Sequence, residues 1–197
     1  MHLRYATTTT PIGTAFAIMS DAGLHTLDFL PDDAEVTARY GPDGARLVHD
    51  PEALREVFTQ LDEYFAGERV RFTVPLDLSG YEGFIRAAFE AMCEIPYGET
   101  VSYGELALVA GAPGAARAAG SACARTPISV VIPAHRVVRS DGSLGEYGGR
   151  PEVKRYLLDL ESGVASAESE AGVSSALAAA LSAAPDAPST RGRTPSF

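Results

Sequence analysis

The chain has 197 residues, 46% of them hydrophobic, with two cysteines and a formal net charge of −10. These totals suffice for a real core in one large or two small domains, and they exclude a disulfide scaffold, a cysteine-based zinc site and strong nonspecific attraction to nucleic acid. No basic-then-apolar leader opens the chain and no apolar run nears the ~18–20 residues that cross a bilayer, so a soluble, cytoplasmic, monomeric protein without a membrane partner is expected.

The opening reads as antiparallel strands: Leu3–Thr9, a turn at Pro11-Ile12-Gly13, Thr14–Met19, a turn at Asp21-Ala-Gly23, then Leu24–Leu30. Residues 31–50 are polar and turn-rich and read as loop. Pro51 opens a helix over 51–66, with Leu54, Val57, Phe58, Leu61 and Phe65 at helical spacing. Phe72–Leu78 is a further extended stretch. The first unit, 1–78, is therefore expected to be an α/β domain with a small antiparallel sheet plus a helix.

The second unit, 79–161, reads as mainly helical. Phe84, Ala87, Ala88 and Met92 place an apolar stripe on a helix of 82–93, ended by Ile95-Pro-Tyr-Gly98. Ser102 and Glu105 form a capping box that starts a helix at Tyr103–Ala110. Gly111-Ala-Pro113 breaks it and Gly114–Ala124 resumes, giving helix-turn-helix. The apolar run Ile128–Ile132 reads as a buried strand. A glycine-rich loop over 140–149 precedes a last helix, Pro151 to about Glu161, with Val153, Tyr156, Leu157 and Leu160 inward. Residues 162–197 turn to Ala, Ser, Pro and Gly and read as a disordered tail with a transient helix around 174–183.

Charge is unevenly placed. Residues 1–80 hold six basic and 13 acidic residues, whereas 81–161 hold eight and ten. A DNA face on the second unit is compatible with that balance.

Position 134 is an alanine where its neighbours suit a nucleophile: a buried run delivers Pro133-Ala134-His135-Arg136 to a site edge, with an imidazole adjacent. Alanine has neither nucleophile nor ligand atom. Single residues here have bland readings as well. A helix pair with a Gly-Pro turn is common, a lone His is more often structural, Glu161 suits a solvated helix end, Tyr103 suits packing, and Cys123 suits a small core position. The second helix of the pair, Gly114–Ala124, is nearly all small residues with Arg117 as its one long side chain. That composition suits tight packing, and equally a helix entering a groove behind a probing Arg.

Taken together, Tyr97-Gly-Glu-Thr-Val-Ser-Tyr-Gly-Glu-Leu-Ala107, Ala116-Arg-Ala-Ala-Gly120, Ile132-Pro-Ala-His-Arg-Val-Val138, Tyr147-Gly-Gly149 and Leu157-Leu-Asp-Leu-Glu161 resemble the O6-alkylguanine-DNA alkyltransferase family. The likeness is strong over 72–161, weak over 1–71 and absent from the tail. It implies a ribonuclease-like first domain and a winged-helix-like, helix-turn-helix DNA-binding second domain. It also implies base flipping of O6-alkylguanine in double-stranded DNA, with no cofactor and no metal. In that family a cysteine takes the alkyl group from O6, its thiolate raised by a water-linked His that a Glu orients.

The family's cysteine position is Ala134, and His135 and Glu161 match its His and Glu. Arg117 matches the finger that replaces the flipped nucleotide, Tyr103 the residue that helps rotate the phosphate, and Tyr147, Gly148 and Gly149 the pocket loop. Ala116, Cys123 and Arg136 are grouped with these as DNA or ligand contacts. Four departures stand out: Ala134; Thr126 in place of a bracing Asn, whose bonds a shorter hydroxyl cannot span; residues 80–86; and Arg150, where a further glycine is common.

The resemblance leads first to a cysteine-less, alkyltransferase-like protein that binds O6-alkylguanine and flags it to nucleotide excision repair proteins without transfer. Three other readings stay open. One is a diverged enzyme acting on a small-molecule substrate with His135 as acid/base. Another has Cys123 accepting alkyl groups. The last is a repair methyltransferase inactivated by a Cys-to-Ala change.

Overall fold

The computed structural model describes residues 3–30 and 47–168. Residues 31–46 of the expected loop over 31–50, and residues 169–197 of the expected tail over 162–197 with its helix around 174–183, lie outside the described residues.

The first unit opens with three strands, β1 (Leu3–Thr10), β2 (Gly13–Ser20) and β3 (Gly23–Leu30), joined by the two anticipated turns. Both pairings are antiparallel, with Thr7 opposite Phe16 and Ala15 opposite Phe29. A fourth strand, β4 (Leu47–His49), lies within the stretch read as loop and pairs parallel to β1, so the sheet is mixed, in the order β3-β2-β1-β4. Three residues are too few to show alternation, which is why sequence pattern passes over such a strand. Strand β2 is buried on both faces. Ala15 and Ala17 join the main core, while Phe16 and Ile18 pack with Leu3, Tyr5 and Leu47 on the other side.

Pro51 leads into a 3-10 turn at Glu52–Leu54 and then helix α1 (Arg55–Phe65), which buries Val57, Leu61 and Tyr64. The segment 72–78 is not a strand but an extended connection with one bridge, Leu24 to Leu76. Leu24 N donates to Pro75 O at 2.8 Å and Asp77 N donates to Leu24 O at 2.9 Å, and side-chain bonds complete the attachment. Gln60 Oε1 accepts from Thr73 N at 2.9 Å, and Asp77 accepts from Ser20 Oγ and Ser79 Oγ at 2.5 and 2.6 Å. The Ser20 and Ser79 bonds hold the Asp77 carboxyl down at about 2 despite its burial. The connection passes so close to β3 that a Cβ at Gly23 would sit 2.4 Å from Pro75 O, and Gly23 has a φ of +141°. Only glycine fits both demands.

The second unit contains α2 (Gly83–Cys93), β5 (Val101–Ser102), α3 (Tyr103–Val109), α4 (Ala116–Ala124), β6 (Val137–Val138) and α5 (Pro151–Glu168). The capping box is present: Ser102 Oγ accepts from Glu105 N, and Glu105 Oε2 accepts from Ser102 N. Helices α3 and α4 form the expected helix-turn-helix, and β5 pairs parallel with β6. Helix α5 runs seven residues past the expected end at Glu161, to Glu168. Ser162 and Gly163 interrupt the apolar stripe at the expected end, but a single glycine costs a helix only about 1 kcal/mol and does not stop it.

The run Ile128–Ile132 is not a strand. Ile128 and Ser129 dock on β3, with Leu27 N donating to Pro127 O and Ser129 N to Leu27 O, at 2.9 and 2.8 Å. The chain then reverses, Val130 taking a φ of +72°. A β-branched residue in that region is costly, by about 1–3 kcal/mol. A run buried along its whole length has no period, so its sequence cannot distinguish a strand from a buried turn. One continuous core joins both units, from Leu27 and Leu61 to Phe89, Ile128 and Leu157.

Candidate functional site

The reversal at Val130 delivers a 3-10 turn, Ala134–Arg136, followed by β6. Ala134 is buried and its side chain lines a cavity of about 1240 Å³. Arg117 and Cys123 come to that cavity from α4, Tyr103 from the start of α3, and Thr126 from the end of α4. Tyr147 and Gly148 supply the loop wall. The first unit contributes to the lining as well, with Thr26, Asp28 and Phe29 from β3. Residues separated by over a hundred positions thus surround Ala134.

Gly145 shows how closely the loop is fitted. Its φ is +69°, and a Cβ there would lie 2.7 Å from the Tyr103 hydroxyl. The tyrosine also covers Lys154, whose Nζ lies 5.9 Å from the ring centre and donates to Val137 O at 2.6 Å. Burial pushes the Lys154 ammonium down to about 8. Burial raises the Tyr103 phenol.

Behind Ala134 lies a buried charge network. Glu161 Oε1 accepts from Tyr64 Oη at 2.6 Å, His135 Nε2 at 2.7 Å and Arg136 Nη2 at 3.0 Å. Its Oε2 accepts from Arg136 Nε at 2.8 Å and Gly98 N at 3.2 Å. Arg136 Nη1 donates to Ile95 O at 2.6 Å, and its guanidinium stands over the Tyr97 ring. Burial acts to raise the Glu161 carboxyl, but the hydrogen bond from His135 and the bonds and charge of Arg136 outweigh it and hold the group below the usual carboxylate range. Burial pushes the His135 imidazole below its ordinary value against the pull of Glu161, so the ring is neutral near pH 7. An ionised carboxylate only accepts, so Nε2 carries the proton and Nδ1 is the bare acceptor. Nδ1 is buried and has no hydrogen-bond partner among the described residues. The Tyr147 ring stands edge-on to His135, with centres 6.5 Å apart.

The sequence-expected residues therefore divide. Ala134, Tyr103, Arg117, Cys123, Thr126, Tyr147 and Gly148 line the cavity. His135 and Glu161 stand together behind it, both fully buried. Arg136, grouped with the DNA or ligand contacts, is instead a buried brace on Glu161. Ala116 is exposed on α4 and Gly149 on the loop, both outside the cavity lining. Glu161 is buried, not a solvated helix-end acid.

The Thr126 hydroxyl does not brace the Ala134 segment. It turns back on its own helix, donating to Cys123 O at 2.9 Å. Cys123 Sγ lies 3.7 Å from Met92 Sδ, and burial pushes its thiol up to about 11. Such a cysteine is protonated at neutral pH and a poor nucleophile.

Sequence reading missed Tyr64 and Lys154. Tyr64 sits in the first unit, 97 positions from Glu161, and helical spacing marks it only as a core residue. Lys154 flanks the inward-facing Val153 on α5 and carries no local sign of burial.

Two family models match the chain. They are the ribonuclease-like domain of 6-O-methylguanine DNA methyltransferase over residues 3–78 and the DNA-binding domain of the same family over 83–163. A methylated-DNA--protein-cysteine methyltransferase of Mycolicibacterium paratuberculosis is 42% identical over 159 residues, covering 81% of this chain and 92% of the relative. The crystal structure of Mycobacterium tuberculosis O6-methylguanine methyltransferase is similar with a TM-score of 0.72 at 41% identity, covering 82% of this chain and 93% of that one. A structure of the Mycobacterium tuberculosis protein in complex with DNA is similar at a TM-score of 0.72 and 40% identity, covering 83% and 94%.

Proposed function

We propose that this chain, which belongs to the 6-O-methylguanine DNA methyltransferase family, binds O6-alkylguanine in duplex DNA without accepting the alkyl group. The nucleotide turns out of the helix into the cavity over Ala134, Arg117 fills the space it leaves, and the bound damage is displayed to excision-repair proteins. Residues 79–161 carry recognition and 1–78 supply the supporting wall.

One observation carries this reading. The residue lining the cavity in front of a complete His135–Glu161 pair is a methyl group. Alkyl transfer needs a nucleophile there, whereas base binding needs only room and walls. Arg117 supports it by lining the same cavity from α4, whose small residues permit close approach to a groove.

The other readings are less well supported. His135 is fully buried with Nε2 committed to Glu161, which does not suit acid–base work on a small substrate. Cys123 is held as a thiol. A lone Cys-to-Ala change leaves Thr126 unexplained.

Fluorescence anisotropy with matched duplexes, one carrying O6-methylguanine and one guanine, tests the proposal at a single salt concentration. The expected result is preferential binding of the damaged duplex, weakened about 30-fold by Arg117→Ala, the scale of an interface Arg anchor. Intact-protein mass after incubation with O6-benzylguanine should show no adduct. Equal affinity for the two duplexes, or an adduct on Cys123, would overturn the reading.

A further inference from the structure

Arg150 is the residue that departs from a glycine run at the end of the pocket loop, and the structure gives it two attachments. Its backbone N–H donates to Tyr147 O at 2.9 Å, closing the turn that presents the Tyr147 ring. Its guanidinium reaches across to the first unit. Nη1 donates to Phe29 O in β3 at 2.8 Å, and Nη2 donates to Ile12 O in the β1–β2 turn at 2.6 Å. Nε lies 3.6 Å from Glu152 in the first turn of α5. Arg150 lines the same cavity as Tyr147, Gly148 and Ala134.

The loop before it has little stiffness of its own. Gly145, Gly148 and Gly149 all have positive φ, and glycine is the residue with most backbone freedom to lose on ordering. A rigid planar fork that meets two carbonyls on another sheet supplies what the loop lacks. The two carbonyls belong to separate segments of the first sheet, so the fork also fixes the sheet relative to the loop.

We propose that Arg150 is a positioning residue, a strap that ties the Tyr147 wall of the cavity to the first sheet and so sets the opening through which a base enters. The strap is independent of the ligand. Its consequence for base selection rests on the function proposed above.

Hydrogen–deuterium exchange of the DNA-free protein tests the strap. In Arg150→Ala, amides of 140–149 should exchange about tenfold faster, the scale of one charge-assisted hydrogen bond. Amides of α1 and α2 should keep their wild-type rates, which also establishes that the variant is folded. Arg150→Lys should restore part of the protection, because an ammonium serves one carbonyl well but not two in the plane of a fork. Unchanged loop exchange in Arg150→Ala would overturn the strap.

The second readout is the ratio of affinities for O6-methylguanine and guanine duplexes. Arg150→Ala should lower it severalfold while binding of the undamaged duplex stays within about twofold, since phosphate contacts dominate that term. A loosened loop with an unchanged ratio would overturn the positioning role. A wild-type protein that shows no preference would overturn the proposed function instead, and the exchange rates would then decide the strap alone.

Discussion

The two sides of His135 differ sharply. Behind it, both oxygens of Glu161 are engaged by Tyr64, His135, Arg136 and Gly98, and every member of the network is well partnered except His135 Nδ1. In front of it, Ala134 has no polar side-chain atom and the Thr126 hydroxyl faces its own helix. The side holding buried charge is densely bonded, and the side facing the cavity presents only a methyl group at position 134. Removing one partner from a buried ion pair costs about 3–5 kcal/mol, because the other is left charged and unpaired. A cavity-facing residue can change size with little effect on folding. A retained His–Glu pair is therefore evidence of structural need before it is evidence of catalysis.

The largest expected effect tests that contrast directly. Glu161→Ala should destabilise the fold by about 3–5 kcal/mol, lowering Tm by about 10 °C in a thermal melt. Ala134→Ser, made on the cavity side, should shift Tm by no more than about 2 °C. Equal shifts from the two variants would mean that the network is not the anchor described.

A smaller effect concerns what the cavity side would need to regain. Ala134→Cys should yield some adduct with O6-benzylguanine by intact-protein mass. Adding Thr126→Asn should speed that reaction about tenfold, the worth of one well-placed hydrogen bond. If Ala134→Cys by itself reacted as fast as the double variant, Thr126 would be irrelevant to the site.

The smallest effect is on pH dependence. The folded His135 value lies below the unfolded value of about 6.5, so the unfolded state takes up this proton first as pH falls. Its neutral burial is fully compatible with folding above that range and opposes folding below it. Glu161 has a depressed folded value, so its contribution is present above about 4.3 and is lost as pH falls further. Tm should therefore decline in two stages on acidification, and His135→Asn should remove the earlier stage while leaving the later one. A wild-type profile flat from pH 7 to 5 would contradict the buried neutral imidazole.

Much of this molecule was legible from its residues. The three opening strands, the helix after Pro51, the capping box at Ser102 and the helix-turn-helix all carry local signals: alternation, helical spacing, a Ser-x-x-Glu pair, a Gly-Pro break. The five motifs between Tyr97 and Glu161, taken together, pointed to the family, and the alanine at position 134 is read directly from the residues. Less legible were the stretches whose structure is set by what they lie against. Ile128–Ile132 reads as a strand because four of its five residues are apolar, yet it turns at Val130, since burial of those four on both sides leaves no period. Phe72–Leu78 reads as a strand, yet it pairs with β3 at a single bridge, Leu24 to Leu76, and side-chain bonds of Gln60 and Asp77 hold it beside that bridge.

By itself, then, the sequence determined the order of elements, the family and the absence of an acceptor at Ala134, because these depend on local periodicity and on side-chain chemistry at known spacing. Only the tertiary structure decided that Tyr64 and Glu161 meet, that Arg136 braces the carboxylate, that Thr126 turns to its own helix and that Arg150 reaches the first sheet. The bonds of Tyr64, Arg136 and Arg150 join residues 25 to 138 positions apart, and their partners are chosen by which segments the shared core brings together. The turn of Thr126 spans only three residues, yet the same hydroxyl borders the cavity, and the residue type does not say which of the two it serves. No periodicity along the chain encodes either choice.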